Sequence, residues 1–178
     1  FCIFNNITIA ARYALQTYAL KRVAIVDFDV HHGNGTEHIV AGDQRIMMCS
    51  SFQHPFYPHS GSPVLASNIL SVPIDAGATG EVFRHKVAHW FAALTHFKPE
   101  LILLSAGFDA HAEDPMAHLR LTEDDYYWLS VELKKVADTC CEGRIVSALE
   151  GGYDMSALGR SVVAHLKGLA YQVAKPAL

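Results

Sequence analysis

The sequence has no long hydrophobic run and no excess of basic residues. Its longest apolar stretch, around residues 101–108, is far shorter than the ~20 residues that a membrane helix needs. The formal net charge is −4, so attraction to a phosphate backbone is not the main basis of any binding. We therefore expect no membrane and no nucleic acid as direct partners.

Cysteine is also scarce. The four cysteines include no CxxC spacing, which is typical of reduced thiols in a cytosolic protein. The 178 residues are 51% hydrophobic, enough for one folded domain with a packed core. The chain opens with the apolar segment FCIFNN and no initiator Met, which favours a fragment of a longer protein.

Short apolar runs alternate with segments of helical periodicity. The pattern predicts an α/β fold with a mostly parallel sheet flanked by helices, and ligands of such sheets bind beyond the carboxyl ends of the strands. The predicted strands are residues 22–27, 45–49, 68–74, 100–108 and 143–149. The predicted helices are residues 6–20, 81–97, one beginning at a capping box at Thr122, and 155–171.

The first predicted strand ends in VDFDVHHGNG. Asp27, Asp29 and His31 alternate, so in an extended segment they project to one side. Carboxylate and imidazole ligands are typical of first-row metals, and a site with few protein ligands leaves positions open for water and substrate. The alternative is an Asx-turn and helix cap using Asp29 and Asn34, with His31 merely exposed.

The fourth and fifth predicted strands also end in polar residues. Asp109 follows the fourth strand and could complete an Asp/His/Asp site, with His111 as a competing ligand. Asp114, before a proline, is interpreted as a turn residue. In EGGYD the two glycines permit a tight turn that presents Tyr153, whose hydroxyl could stabilise an oxyanion; an ordinary core or rim tyrosine is the alternative.

Three motifs together resemble the zinc-dependent histone deacetylase family, including bacterial histone deacetylase-like amidohydrolases. They are DFDVHHGNG at 27–35, GFDAH with DPM at 107–116, and EGGYD at 150–154. The resemblance implies an arginase/deacetylase-like three-layer fold. It also implies that residues 1–178 are the C-terminal part of a single catalytic domain.

The resemblance assigns roles to individual residues. It implies Zn²⁺ as the metal, although the same ligand types also suit Fe²⁺, and K⁺ or Na⁺ as a structural ion. The implied zinc ligands are Asp29, His31 and Asp109, and the catalytic tyrosine is Tyr153. The monovalent cation site comprises Asp27, Asp29, His31 and Ser50, and the walls and rim of the substrate tunnel comprise Phe1, Tyr57 and Met116.

The implied activity is hydrolysis of the amide in acetyl-lysine or a related small acetylated amine. Asn34 favours class II-like or bacterial relatives and hence a cytoplasmic, bacterial enzyme. The apolar Met116 weakens the alternative of an acetylpolyamine amidohydrolase without excluding it. A homo-oligomer is compatible with the sequence.

One expected part is absent from the sequence. The general base of the family is a His-His pair upstream of the GFC segment, and His31-His32 is not that pair because His31 is assigned to the metal. We therefore expect this fragment alone to be inactive. The remaining alternatives are an arginase-like binuclear hydrolase, disfavoured because Phe108 and Ala110 cannot bind metal, a non-catalytic acyl-lysine or metal-binding module, and a purely structural role.

Overall fold

The computed structural model describes residues 3–171, so Phe1 and Cys2 lie outside the described part of the chain. Its centre is a five-stranded, all-parallel sheet in the order β3-β2-β1-β4-β5. The strands are β1 (Val23–Asp27), β2 (Ile46–Gln53), β3 (Ile69–Ile74), β4 (Leu101–Ala106) and β5 (Ile145–Leu149).

Helices cover both faces of the sheet and complete three layers. A smaller core on one face includes residues of α1, β1 and β2, and a larger core on the other face contains Trp90, Tyr126 and Leu133. None of the helices between residues 3 and 171 combines the length and apolar content that a membrane crossing requires. The helices are α1 (Asn6–Thr17), α2 (Asn34–Val40), α3 (Gly80–Val87), α4 (His89–Phe97), α5 (Glu123–Cys140) and α6 (Met155–Leu169).

The α/β architecture and the parallel sheet predicted from the sequence are confirmed. The predicted helix 81–97 was wrong in one respect, because it divides at Ala88 into α3 and α4. The His89 imidazole lies 2.9 Å from the Lys86 carbonyl oxygen and competes there with the helical hydrogen bond. The predicted capping box at Thr122 is present. The α6 helix begins with a cap of its own, in which the Asp154 side chain accepts from the Ala157 N–H.

The direction in which the chain adds strands to the sheet reverses at β1, in the centre of the sheet. The chain passes from β1 outward to β2 and β3, and then returns to place β4 on the other side of β1. Such a switch point opens a crevice at the carboxyl ends of the two central strands. The loops after β1 and β4 carry the acidic residues selected from the sequence.

Candidate metal centre and its cleft

Three side chains converge at this crevice. Asp29 and His31 follow β1, Asp109 follows β4, and their ligand atoms all lie within 4.8 Å of one another. His31 Nδ1 is 3.1 Å from Asp29 Oδ1 and 3.2 Å from Asp109 Oδ2. The structure therefore brings together the three residues that the sequence assigns to the metal.

Backbone amides fix the two carboxylates. The Val30 N–H donates to Asp109 Oδ1 at 2.9 Å, and the Gly151 N–H donates to Asp29 Oδ2 at 2.8 Å. A side chain at Gly151 would meet Asp109 Oδ2 at 1.9 Å, so only glycine lets the loop after β5 approach this closely. The cluster thus comes from two strand ends, and the loop after a third strand, β5, holds it in place.

The donor set is suited to a divalent metal ion. Asp109 Oδ2 is buried and lies 3.2 Å from His31 Nδ1. This oxygen accepts no well-directed hydrogen bond among the described residues. Two carboxylates and an imidazole with an unsatisfied buried oxygen are chemically matched to Zn²⁺ or Fe²⁺. Residues Asp29, His31 and Asp109 could therefore hold the metal.

The electrostatics of the cluster are dominated by its carboxylates. Asp109 and Asp29 raise the pKa of His31 to about 10, against the opposing effect of burial. Burial raises the pKa of Asp109, and the nearby Asp29 carboxylate adds to this rise. Such a concentration of negative charge attracts a cation.

A cleft of about 450 Å³ opens above the cluster and is lined by both Asp29 and Tyr153. The Tyr153 side chain is half-exposed. Burial raises its pKa, and the Asp109 and Asp29 carboxylates contribute further. Tyr153 is therefore a protonated phenol, able to donate a hydrogen bond into the cleft.

Asp114 has a larger role than the turn interpreted from the sequence. Its carboxylate is buried and accepts hydrogen bonds from the backbone N–H groups of Met116, Tyr153 and Asp154. The sequence signal was only an Asp-Pro turn, and nothing in the pattern indicated contact with a loop 39 residues away.

His111 is not part of the metal cluster. Its Nδ1 accepts from the Glu113 N–H at 3.1 Å, and its Nε2 lies 3.5 Å from Glu123 Oε2. Arg160 binds Glu123 from α6. The histidine that competed with Asp109 for the ligand role therefore helps to fasten the loop after β4 to α5.

Aromatic side chains lie beside the metal cluster. The Phe56 ring stacks on His31 at 5.5 Å between centroids, and Tyr57 approaches the same imidazole edge-on at 6.4 Å. Tyr57 and Met116 are half-exposed, as residues at a tunnel mouth would be, while Phe1 lies outside the described residues. Phe56 was missed from the sequence, where only its neighbour Tyr57 carried a signal.

The residues predicted for a monovalent cation also lie together. Asp27 and Ser50 are buried partners in the ladder between β1 and β2. Burial, and then the Asp29 carboxylate, raise the pKa of Asp27 well above its usual range. Ser50 Oγ has no hydrogen-bond partner among residues 3–171, so it is free to coordinate an ion.

His32, the neighbour of the metal-ligand candidate, has different partners. Its Nε2 contacts the Glu37 carboxylate of α2, and its Nδ1 lies 2.8 Å from Ser60 Oγ. This buried contact ties the loop that carries Phe56 and Tyr57 to the start of α2. Both ring nitrogens of His32 are therefore engaged, with Glu37 and with Ser60.

Comparisons with known proteins agree on the family. A model of the histone deacetylase domain matches residues 1–169. The chain is 40% identical to Histone deacetylase 14, chloroplastic, of Arabidopsis thaliana, over 95% of this chain and 42% of that protein. It is 36% identical to a probable deacetylase of Methanothermobacter thermautotrophicus, over 95% of this chain and 52% of that protein.

The fold is shared with a solved structure of the same family. The crystal structure of the HDA15 HD domain superposes with a TM-score of 0.86 at 32% identity, and the match covers 95% of this chain and 50% of that one. This chain therefore spans about half of that solved domain and about half or less of the curated relatives described above.

Proposed function

Because the chain belongs to the histone deacetylase family, we propose that its protein is a metal-dependent deacetylase. Its substrate is the acetylated side chain of lysine or a related small acetylated amine, and the reaction is hydrolysis of the amide. The observation that carries the proposal is the convergence of Asp29, His31 and Asp109 in a cleft that Tyr153 also lines.

Asp29, His31 and Asp109 would hold Zn²⁺, with Fe²⁺ as the other metal that suits these ligands. When bound, such an ion supplies Lewis acidity towards a carbonyl and lowers the pKa of water to about 7. The protein contributes a rigid frame for it, since backbone amides hold Asp29 and Asp109 in place. Asp27 and Ser50, with backbone oxygens near Asp29 and His31, would bind K⁺ or Na⁺ behind this frame.

Tyr153 would donate its phenolic hydrogen to the oxyanion that develops on the substrate carbonyl. A donor of this kind must remain protonated, and the raised pKa of Tyr153 ensures that it does. Hydrogen bonds aimed at developing charge in a cleft with little water are among the largest single contributions to catalysis.

Phe1 and Tyr57 would form the two walls of the passage for the acylated side chain, with Met116 at its rim. Phe56, which stacks on His31, belongs to the same apolar surface. A neutral acylated amine enters such a passage more readily than an ammonium ion, because the charge would have to be desolvated. This accounts for selection of an acylated over a free amine.

The general base would come from a segment of the catalytic domain that precedes this chain. The two histidines that line the cleft, His31 and His32, are engaged with the carboxylates and with Glu37, respectively. The chain also covers only half of a solved histone deacetylase domain. We therefore propose that residues 1–178 are the C-terminal part of one catalytic domain and are inactive alone. A cytoplasmic, bacterial origin and a homo-oligomeric state stay predictions.

The test uses the complete protein, loaded with zinc, and measures acetate released from an acetyl-lysine peptide and from an acetylated diamine. In Tyr153→Phe we expect kcat to fall by about 10²–10³-fold, the usual cost of one oxyanion donor. Zinc content should stay unchanged because Tyr153 is not a ligand. Tyr127→Phe, at an exposed tyrosine of α5, is the matched control and should retain full activity.

Two outcomes would contradict the proposal. Wild-type protein that binds zinc and releases no acetate from either substrate would favour a non-catalytic binding module. Tyr153→Phe protein with nearly wild-type kcat would remove the tyrosine from the oxyanion site while leaving the deacetylase assignment intact.

A further inference from the structure

The two half-exposed residues proposed to meet the substrate, Tyr153 and Met116, share one support. Each has 50% of its surface exposed, so packing of the side chain does not determine its position. The backbone of each donates a hydrogen bond to the carboxylate of Asp114, which is only 6% exposed.

The three hydrogen bonds divide between the two oxygens of that carboxylate. Oδ2 accepts from the Tyr153 N–H at 2.7 Å and from the Asp154 N–H at 3.2 Å. Oδ1 accepts from the Met116 N–H at 2.9 Å. One buried carboxyl group thus joins the loop after β4 to the loop after β5 at the edge of the cleft.

A purely structural reason for this contact would be capping of α6. That helix already has its own cap, since the Asp154 side chain accepts from the Ala157 N–H at 2.8 Å. The loop after β4 is also fastened independently through His111, Glu123 and Arg160. The two loops are also joined by the Phe108 N–H, which donates to the Gly151 carbonyl at 2.8 Å. Asp114 adds a second connection, between the segments that carry Met116 and Tyr153.

We infer that Asp114 is a positioning residue that holds Tyr153 and Met116 in a fixed relation to each other. It thereby couples the geometry of the oxyanion donor to the width of the rim that admits the acyl group. This inference deepens the proposed function and rests on it for the roles of Tyr153 and Met116. The connection itself rests only on the three hydrogen bonds.

The chemistry of the side chain suggests how to separate the two connections. Asparagine at this position has one acceptor oxygen and one NH₂ donor. With its oxygen towards Tyr153 and Asp154, it retains two of the three hydrogen bonds and places a donor against the Met116 N–H. Asp114→Asn should therefore lose the hydrogen bond to Met116 and keep those to Tyr153 and Asp154, whereas Asp114→Ala should lose all three.

The first experiment is hydrogen exchange with mass spectrometry on the complete, zinc-loaded protein. In Asp114→Ala we expect faster exchange in the peptides containing Met116 and Tyr153, and in Asp114→Asn only in the peptide containing Met116. Asp124→Asn, an exposed carboxylate on α5, is the control and should leave both peptides unchanged. Unchanged exchange in both Asp114 variants would overturn the inference.

The second experiment compares kcat and KM for acetyl, propionyl and butyryl lysine peptides. Asp114→Asn should keep kcat for acetyl-lysine within a few-fold and relax the discrimination against longer acyl groups. Asp114→Ala should lose about 10²-fold in kcat for acetyl-lysine, the cost of a misplaced catalytic group. Loss of zinc or of kcat alone, with unchanged acyl selectivity in both variants, would contradict the coupling.

The proposed function and the inference about Asp114 can fail independently of each other. If wild-type protein releases no acetate, the proposed function fails, and the exchange data still decide whether Asp114 connects the two loops. If wild-type protein is active and the Asp114 variants match it in exchange and selectivity, the inference fails and the proposed function stands.

Discussion

The ends of β1 and β4 have two faces with opposite chemistry. On one face Asp29 and Asp109 approach His31, whereas on the other Phe28 and Phe108 pack edge to face, 6.0 Å apart. Because successive residues of an extended strand point to opposite sides, neighbouring positions in the sequence serve the two faces. One short segment therefore forms both a charged cleft and the buried core behind it.

Each face contains a histidine, and the two histidines have opposite pKa shifts. Asp109 and Asp29 raise the pKa of His31 to about 10, while burial lowers the pKa of His165 to about 4. His165 packs against both Phe28 and Phe108 at less than 6 Å between ring centroids. The difference teaches that two nearby carboxylates outweigh burial at His31, whereas burial without a carboxylate partner lowers the pKa of His165.

The neutral state of His165 is fully hydrogen-bonded. Ser130 donates to the Tyr126 carbonyl, so it accepts from His165 Nδ1 at 2.7 Å, and Ser147 then donates to Nε2 at 3.0 Å. Both ring nitrogens are satisfied without a charge. The apolar face thus accommodates a polar side chain by supplying hydroxyl partners instead of carboxylates.

The largest change in stability is expected from Phe108→Ala, which removes the ring at the centre of the apolar face. Phe108 is buried against Phe28, Tyr126 and His165, so its loss should lower the free energy of unfolding by about 3–5 kcal/mol. Urea denaturation measures this change. Phe108→Leu keeps most of the apolar volume and should cost only about 1–2 kcal/mol; equal losses would contradict a packing origin.

The next effect is a dependence of stability on pH that His165 creates. Its pKa is about 4 in the folded protein and about 6.5 in the unfolded chain. The unfolded state therefore binds more protons between these values, and stability is full above pH 6.5 and falls as the pH drops towards 4. The loss should reach about 3 kcal/mol at about 1.4 kcal/mol per pH unit.

Denaturation of wild type and His165→Gln across this range isolates the effect, since glutamine keeps hydrogen-bonding capacity and does not titrate. The difference in free energy of unfolding between the two proteins should shrink as the pH falls from 6.5 to 4. His96→Gln, at an exposed histidine of α4, is the control and should leave the pH dependence of the wild-type stability in place. A constant difference would show that His165 binds protons equally in the folded and unfolded states, which would contradict its lowered pKa in the folded protein.

A slightly smaller effect is expected from zinc on the charged face. At zinc concentrations of 100 times Kd, a ligand that binds only the native state stabilises it by about 2.7 kcal/mol. Asp109→Asn should lose most of this stabilisation, measured as the zinc-induced rise in Tm. Asp75→Asn is the control, because it removes an exposed carboxylate that is distant from the cluster in sequence. This variant should keep the zinc-induced rise in Tm. Retention of the rise in Asp109→Asn would place zinc elsewhere.

Much of this arrangement could be predicted from the sequence. The apolar runs predicted the strands, and the alternation of Asp27, Asp29 and His31 from the last residue of β1 onward predicted one acidic edge. Asp109 after β4 was placed at the same edge because parallel strands end together. These are local patterns, so a single strand and its exit carry the whole signal.

Other features could not be predicted because they depend on contacts between distant segments. Asp114 had the pattern of a turn residue, and His111 that of a metal ligand; only the packing of the loops after β4 and β5 separates their roles. Phe56 and Tyr57 are adjacent in sequence, and the stack of Phe56 on His31 appears only when loop 54–63 folds back against the segment that follows β1.

The sequence by itself determined which residues follow β1, β4 and β5 and what chemical groups those residues carry. The tertiary structure alone decided which oxygen and nitrogen atoms meet, which histidine gains carboxylates and which gains hydroxyls. The physical reason is that strand periodicity is set by neighbouring residues, whereas pKa values and hydrogen bonds depend on groups brought together from far along the chain.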